Sequence, residues 1–220
     1  MNLSTDTLSV LKNFSDINQN LLIKPGNKVQ TISTMKNILA EAEVSEKFES
    51  EFAIYDLPEF LRSVELFDKP ELKFNGGGYV NISKGNSRGI KYFFADKSVI
   101  VSPSKGISMP DKHVTFTLKK NDFTDLMKGA TTLNLPDISV EGKGGSISMV
   151  ATDKKNKSSN TYSVNVGETD KEFTAFFRTE NFKQIVDDYD VAISKAKISH
   201  FVNRNKSVQY WIALEPDSEF

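Results

Sequence analysis

Residues able to do chemistry are sparse in this chain. Histidine occurs twice, at His113 and His200, without the serine or cysteine surroundings that mark an activated nucleophile. Cysteine is absent, which removes disulfides and thiolate metal sites together and fits a reducing compartment. Gly142-Lys143-Gly144-Gly145-Ser146 has the composition of a phosphate-cradling loop, but the G-x-x-x-x-G-K-[ST] spacing is not met and no helical pattern follows. A glycine hairpin is expected there. Asp187, Asp188 and Asp190 gather carboxylates on the polar side of an expected helix, where such a run is solvation rather than a metal site. Asn81-Ile82-Ser83 fits the glycan-acceptor pattern, which has meaning only in an exported chain. No catalytic residue, metal site or cofactor is expected.

The elements that would position any site are written twice. EFAIYDLPEFLRSVELF at 51–67 returns as FTAFFRTENFKQIVDDY at 173–189, with Ala53 matching Ala175, Ile54 Phe176, Tyr55 Phe177, Phe60 Phe182 and Val64 Val186 at one constant spacing. Each copy reads as a strand feeding a helix. Self-similarity at about half the chain length implies two copies of one domain rather than a solenoid, whose repeats run to roughly 20–50 residues. The 220 residues therefore divide into domains at 1–97 and 113–220, joined by an extended connector at 98–112 that has two prolines and neither helical nor strand periodicity. With 38% hydrophobic and 26% charged residues and sixteen Phe, each half can bury a core. The opening MNLSTDTLSVLKNF lacks a basic region followed by an apolar run, and no apolar stretch is long enough to span a membrane, so neither export nor membrane insertion is expected. A net charge of −1 argues against a protein that grips nucleic acid over its whole surface; any such contact must be local.

In chain order, Ser4 to Ile17 reads as a helix capped by Ser4 with Leu8, Val10, Leu11, Phe14 and Ile17 inward. Strands are expected over 21–24, 29–33, 38–44 and 48–55. Asp56 caps a second helix with Pro58 in its first turn and Leu57, Phe60, Leu61, Val64 and Phe67 inward. Hairpin writing follows, 71–74, 79–83 and 89–94, with turns at 76–78 and 85–87. The second half repeats the order: a strand at 114–118, a helix capped by Asn121 or Asp122 with Phe123, Leu126, Met127 and Ala130 inward, hairpins, a strand at 173–177, a helix at 180–189, and closing strands around 200–202 and 208–214. The fold class is α+β, antiparallel sheets with helices on one side. Lys12, Arg62 and Lys128 fall opposite the apolar stripes of three of the four expected helices, and Lys183 flanks the fourth. Together they make a sparse cationic surface suited to weak, salt-sensitive, sequence-independent phosphate contact.

Four stretches carry a family resemblance: NFSDINQNLLIKPG at 13–26, AIYDLPEFL at 53–61, VSPSKGISMP at 101–110 and ALEPDSEF at 213–220. They resemble the DNA polymerase sliding clamps of T4-like bacteriophages, and the family's length and two-domain plan match over essentially the whole chain. The resemblance implies domains of the DNA clamp type in a homotrimeric ring that encircles double-stranded DNA and tethers the replicative DNA polymerase. It implies an ATP-dependent clamp loader as partner, phage transcription factors as further partners, no enzymatic activity, and action in the cytoplasm of the infected bacterial host. Lys12, Arg62, Lys128 and Lys183, with Lys119 and Lys120 at the mouth of a helix, are then the DNA-facing residues. The helices are not net basic, since Asp56, Glu59, Glu65, Asp187 and Asp188 outnumber these cations locally. Neighbouring subunits are expected to join by strand pairing of Gly89, Ile90, Tyr92 and Phe94 with Thr161, Tyr162 and Val164. Val101, Pro103, Ile107, Met109, Leu214 and Pro216 are expected to border a pocket for a partner's C-terminal peptide. The alternative from residues alone is a non-catalytic duplicated β-rich phage structural or binding module.

Overall fold

The computed structural model describes residues 1–220 apart from Gly77, Asn86 and Lys105. Parts of the turns expected at 76–78 and 85–87 and of the connector at 98–112 lie outside the described residues for that reason. Contacts divide the chain into two compact units, Met1–Gly106 and Ile107–Phe220.

The first unit opens with α1 (Thr5–Ile17), whose Ser4 cap accepts from the Thr7 N–H at 3.2 Å. Such a cap is worth about 1 kcal/mol. The chain continues through β1 (Leu21–Ile23), β2 (Gly26–Ile32), β3 (Ile38–Phe48) and β4 (Phe52–Ile54) into α2 (Leu57–Glu65). Asp56 caps α2 by accepting from the Glu59 N–H at 2.7 Å, and Pro58 occupies the first turn, where its missing donor costs nothing. The expected strand over 48–55 is two strands, because the chain breaks between Phe48 and Phe52. The meander β5 (Glu71–Phe74), β6 (Tyr79–Lys84) and β7 (Arg88–Phe93) completes the unit. All its ladders are antiparallel: β1 with β4, β2 with β3, and β5-β6-β7 in that order. Val10, Leu11 and Phe14 of α1 and Leu57, Phe60, Leu61 and Val64 of α2 are buried, and α1 packs on α2, β2 and β3. Phe67, expected in the stripe of α2, lies beyond the helix end and is half-buried.

The second unit repeats the plan with β8 (Val114–Leu118), α3 (Lys120–Thr132), β9 (Asp137–Lys143), β10 (Ser146–Thr152), β11 (Tyr162–Glu168), β12 (Phe173–Arg178), β13 (Tyr189–Ser194), β14 (Ile198–Asn203) and β15 (Val208–Ala213). Here β11-β10-β9-β12 form one antiparallel sheet, and β8, β13, β14 and β15 pair in succession. The repeat is visible in register: Ala53 of β4 stands opposite Leu22 of β1, and Ala175 of β12 opposite Val140 of β9. Where β8 flanks β13, the first unit has Met1 beside β5, joined by the Leu72 N–H to the Met1 carbonyl at 2.7 Å.

The helix expected over 180–189 is absent. A single 3-10 turn at Thr179–Asn181 is followed by irregular chain, and Tyr189 already begins β13, a strand not anticipated from sequence. The physical reason is visible at Ile185. Its N–H donates to the Tyr210 hydroxyl at 3.3 Å and its carbonyl accepts from the Tyr189 hydroxyl at 2.6 Å, so both groups find partners outside a helical ladder. Arg178 stands where Asp56 stands in the first copy and supplies no capping side chain. Phe182 still reaches the core, edge-on to Phe177 and Phe123.

Two further expectations about α3 change. Its N-cap is Lys119, which gives no side-chain bond; the Asp188 carboxylate instead accepts from the Lys120 N–H at 2.7 Å. Met127 is half-buried, whereas Phe123, Leu126 and Ala130 are buried. The next turn explains Gly129. A Cβ there would lie 2.4 Å from the Tyr162 ring of β11, so only glycine lets that ring lie against the helix. Gly129→Ala is expected to lower unfolding free energy by about 1–3 kcal/mol in urea titration, despite alanine's better helix propensity. Unchanged or raised stability would mean that Tyr162 does not pack there.

Candidate nucleic-acid interface

The helices present their cations as the apolar stripes dictate. Burying Val10, Leu11 and Phe14 leaves Lys12 exposed, and burying Phe60, Leu61 and Val64 leaves Arg62 exposed. Lys12 is ion-paired with Glu65 across the α1–α2 contact, both groups largely in solvent, so the pair adds less than about 1 kcal/mol. On α3, Lys119, Lys120 and Lys128 are exposed. Lys119 and Lys120 stand at the helix N-terminus, where the backbone dipole disfavours cations. Asp188 at the first N–H and Asp122 in the first turn offset them. Lys183 is half-buried and stands in the irregular chain after the 3-10 turn, so the expected placement of a cation on each of four helices is corrected to cations on three.

The acidic run 187–190 is built into the second unit rather than spread on a helix face. Asp187 is buried. Its burial opposes ionisation, but hydrogen bonds from Asn205 at 2.6 Å, the Asp188 N–H at 2.9 Å and Asn203 at 3.3 Å outweigh it and hold the carboxyl below its ordinary range. Asp190 accepts from Thr117 at 3.2 Å. The tyrosines beside this network, Tyr189 and Tyr210, have their pKa values pushed up by burial foremost.

The two strands expected at a subunit boundary are both sheet edges: β7 ends the order β5-β6-β7, and β11 ends β11-β10-β9-β12. Each is anchored beneath by a tyrosine. Tyr92 lies edge-on to Phe60 at 5.2 Å and donates to the Asp56 carbonyl at 3.1 Å. Burial, then the charges of Glu59 and Asp56, push its hydroxyl up to about 12. Tyr162 lies against Gly129 of α3. Gly89 is exposed, Ile90 half-buried, Thr161 exposed and Val164 half-buried, while Phe94 stacks on Phe52 at 4.6 Å. Of the expected peptide-pocket residues, Val101 and Pro103 belong to the first unit, and Ile107, Met109, Leu214 and Pro216 to the second. Pro103 and Leu214 are buried, Met109 is half-buried, and Val101, Ile107 and Pro216 are exposed. The Val101 backbone is fixed by Asn20 and Asn18 at 3.0 and 3.2 Å.

Both histidines sit against aromatic rings. His200 stacks on Trp211 at 4.5 Å and shares a 2.8 Å hydrogen bond with Gln209. His113 lies edge-on to Phe173 and Phe220, with its pKa lowered by burial and by Lys195 and Lys171. The glycine stretch is the β9–β10 turn, with Gly144 and Gly145 at φ +60° and +87°. Among the described residues no three His, Asp or Glu side chains are grouped to hold a metal, and no helix is long and apolar enough to cross a membrane.

Comparison with known proteins decides what this scaffold is. The profile described as DNA polymerase processivity factor matches residues 4–102, and that described as gp45 sliding clamp, C terminal, matches residues 115–216. The sliding clamp of Vibrio phage KVP40 is 35% identical over 98% of this chain and 99% of its own length. The chain belongs to the sliding clamp family. The sliding clamp of Enterobacteria phage T4 is 30% identical over 99% of the chain and 98% of that protein. The fold is shared more widely. Proliferating cellular nuclear antigen from Thermococcus kodakaraensis superposes with TM-score 0.70 at 14% identity, over 98% of this chain and 99% of that one. The Entamoeba histolytica protein gives 0.68, also at 14% identity, over 94% of each. Two similar domains of helices on antiparallel sheets are thus the clamp architecture, as the resemblance implied.

The Asp187 network bears on the acid stability of the second unit. A carboxyl whose folded pKa is depressed stabilises the fold above its unfolded value near 3.9 and loses that contribution as pH falls through the folded value. Asp187→Asn is therefore expected to flatten the loss of stability below about pH 4 in acid-titrated thermal melts. An unaltered acid limb would show that other carboxylates dominate.

Proposed function

We propose that this chain is the processivity clamp of a phage replisome: a homotrimer that closes around duplex DNA, is opened by an ATP-dependent loader, and holds the replicative polymerase at the primer end. It acts without catalysis in the cytoplasm of the infected host. The observation that carries this reading is the similarity to sliding clamps along the full chain. Two exposed sheet edges in one chain support ring closure, since β7 of one copy can pair with β11 of the next and remove the aggregation hazard that open edges present. The exposed Lys12, Arg62, Lys119, Lys120 and Lys128, with Lys183, supply the modest positive charge that a topologically held DNA requires; stronger attraction would slow sliding. The peptide pocket bordered by Val101, Pro103, Ile107, Met109, Leu214 and Pro216 and the engagement of phage transcription factors belong to the same proposal.

The decisive experiment follows loaded protein on DNA. It is expected to remain on circular DNA through gel filtration and to run off once the circle is cut; equal loss from both forms would overturn encirclement. Tyr92→Pro, which removes a donor from the β6–β7 ladder that shapes the β7 edge and the ring that anchors it, is expected to convert the trimer to monomer in sedimentation. A trimer that survives this change would exclude the β7–β11 pairing.

A further inference from the structure

The outer face of the β5-β6-β7 sheet carries a chemistry that neither ring closure nor the helices use. Alternation places Leu72, Val80, Ile82, Ile90 and Tyr92 on the inner side, leaving the other face to polar residues and two aromatic rings. Lys73, Asn81 and Lys91 stand in one row across the three strands. In the next row Tyr79 stands beside Phe93, with centroids 5.7 Å apart and planes tilted by 53°. Phe93 is 66% exposed. The Lys91 ammonium lies 4.0 Å from the Tyr79 centroid and 4.9 Å from that of Phe93. Lys73 pairs with Glu71 in an exposed contact at 3.3 Å.

We propose that this face is a sequence-independent platform for single-stranded nucleic acid. An exposed phenyl ring among lysines and an amide is a poor protein-docking patch, whose centre is normally contiguous and apolar. It matches what an unpaired nucleotide offers: a π face for Phe93 and Tyr79, and phosphates for two ammonium groups. Charge points the same way, because this face sets Lys73 and Lys91 against Glu71 alone in a chain of net charge −1. Lys73 and Lys91 are two strands apart, about 10 Å, so they flank Asn81 of the central strand in that row. A base stacking on Phe93 displaces the Lys91 ammonium from the ring, and that cation turns to the adjoining phosphate. Asn81 and Ser83 lie within the same face for hydrogen bonds to base edges or sugar. A double helix keeps its π faces stacked internally and offers none to Phe93. The edge of β7 stays available throughout, because backbone pairing runs in the plane of the sheet and this surface stands perpendicular to it.

The test is fluorescence anisotropy with a short labelled oligothymidylate and a duplex of equal length, titrated at several salt concentrations with the full chain. Weak, salt-sensitive binding of the oligothymidylate is expected. Phe93→Ala should weaken it about tenfold, with Phe93→Trp restoring it and the duplex unaffected. The pair Lys73→Ala and Lys91→Ala should reduce the slope of log affinity against log salt by about 1.4. No detectable oligothymidylate binding, equal binding by Phe93→Ala, or equal weakening of single strand and duplex would each overturn the platform. A Phe93→Ala chain with an altered sedimentation coefficient would overturn it too, by showing that this face lies between copies. The proposal stands apart from encirclement, since run-off from cut circles tests the ring without touching Phe93.

Discussion

The burial of apolar stripes beneath three short helices is the constraint on which the placement of the exposed cations depends. Phe14, Leu57, Phe60, Phe123 and Leu126 each have one buried position available, and occupying it fixes the rotation of the helix about its axis. Once rotation is fixed, Lys12, Arg62 and Lys128 have no choice of direction. The exposure of these cations is thus a by-product of packing: within each unit the core sets where the charge goes. For Lys12, Glu65 on the neighbouring helix already shares that charge.

A similar economy shapes the strands. Tyr92 and Tyr162 anchor two edge strands from below, one on an aromatic partner and one on a glycine, although the repeat that relates the units does not match these residues in sequence. The units therefore converge on the same mechanical solution with different side chains. Both bury an inner ring, whereas the outer side chains carry the surface chemistry.

Much of this was readable in the sequence. The Asp56-Leu57-Pro58 opening of α2 and the Ser4 cap of α1 are local signals, and local structure obeyed them. The repeated strand of β4 and β12 was legible because alternation and aromatic content survive in both copies. The stretch 180–189 was misread because its apolar spacing is helical, while the bonds that oppose a helix come from Tyr189 and Tyr210, and nothing in the local pattern announces a hydroxyl arriving from β15. The cap of α3 was hidden for the same reason: Asp188 is far along the chain, and only the absence of a capping residue at Lys119 hinted that a donor must be satisfied from elsewhere. Among site residues, exposure of Arg62 and Lys128 followed from periodicity, but the Lys12–Glu65 pairing required knowing that two helices touch.

The tyrosine beneath each edge strand has a consequence for what that edge can accept. A strand whose underside is already pinned has lost its freedom to twist, fray or slip by a residue during folding, before any neighbour arrives. Any strand that pairs with such an edge then forfeits little further disorder, so a modest ladder of main-chain bonds suffices to hold it.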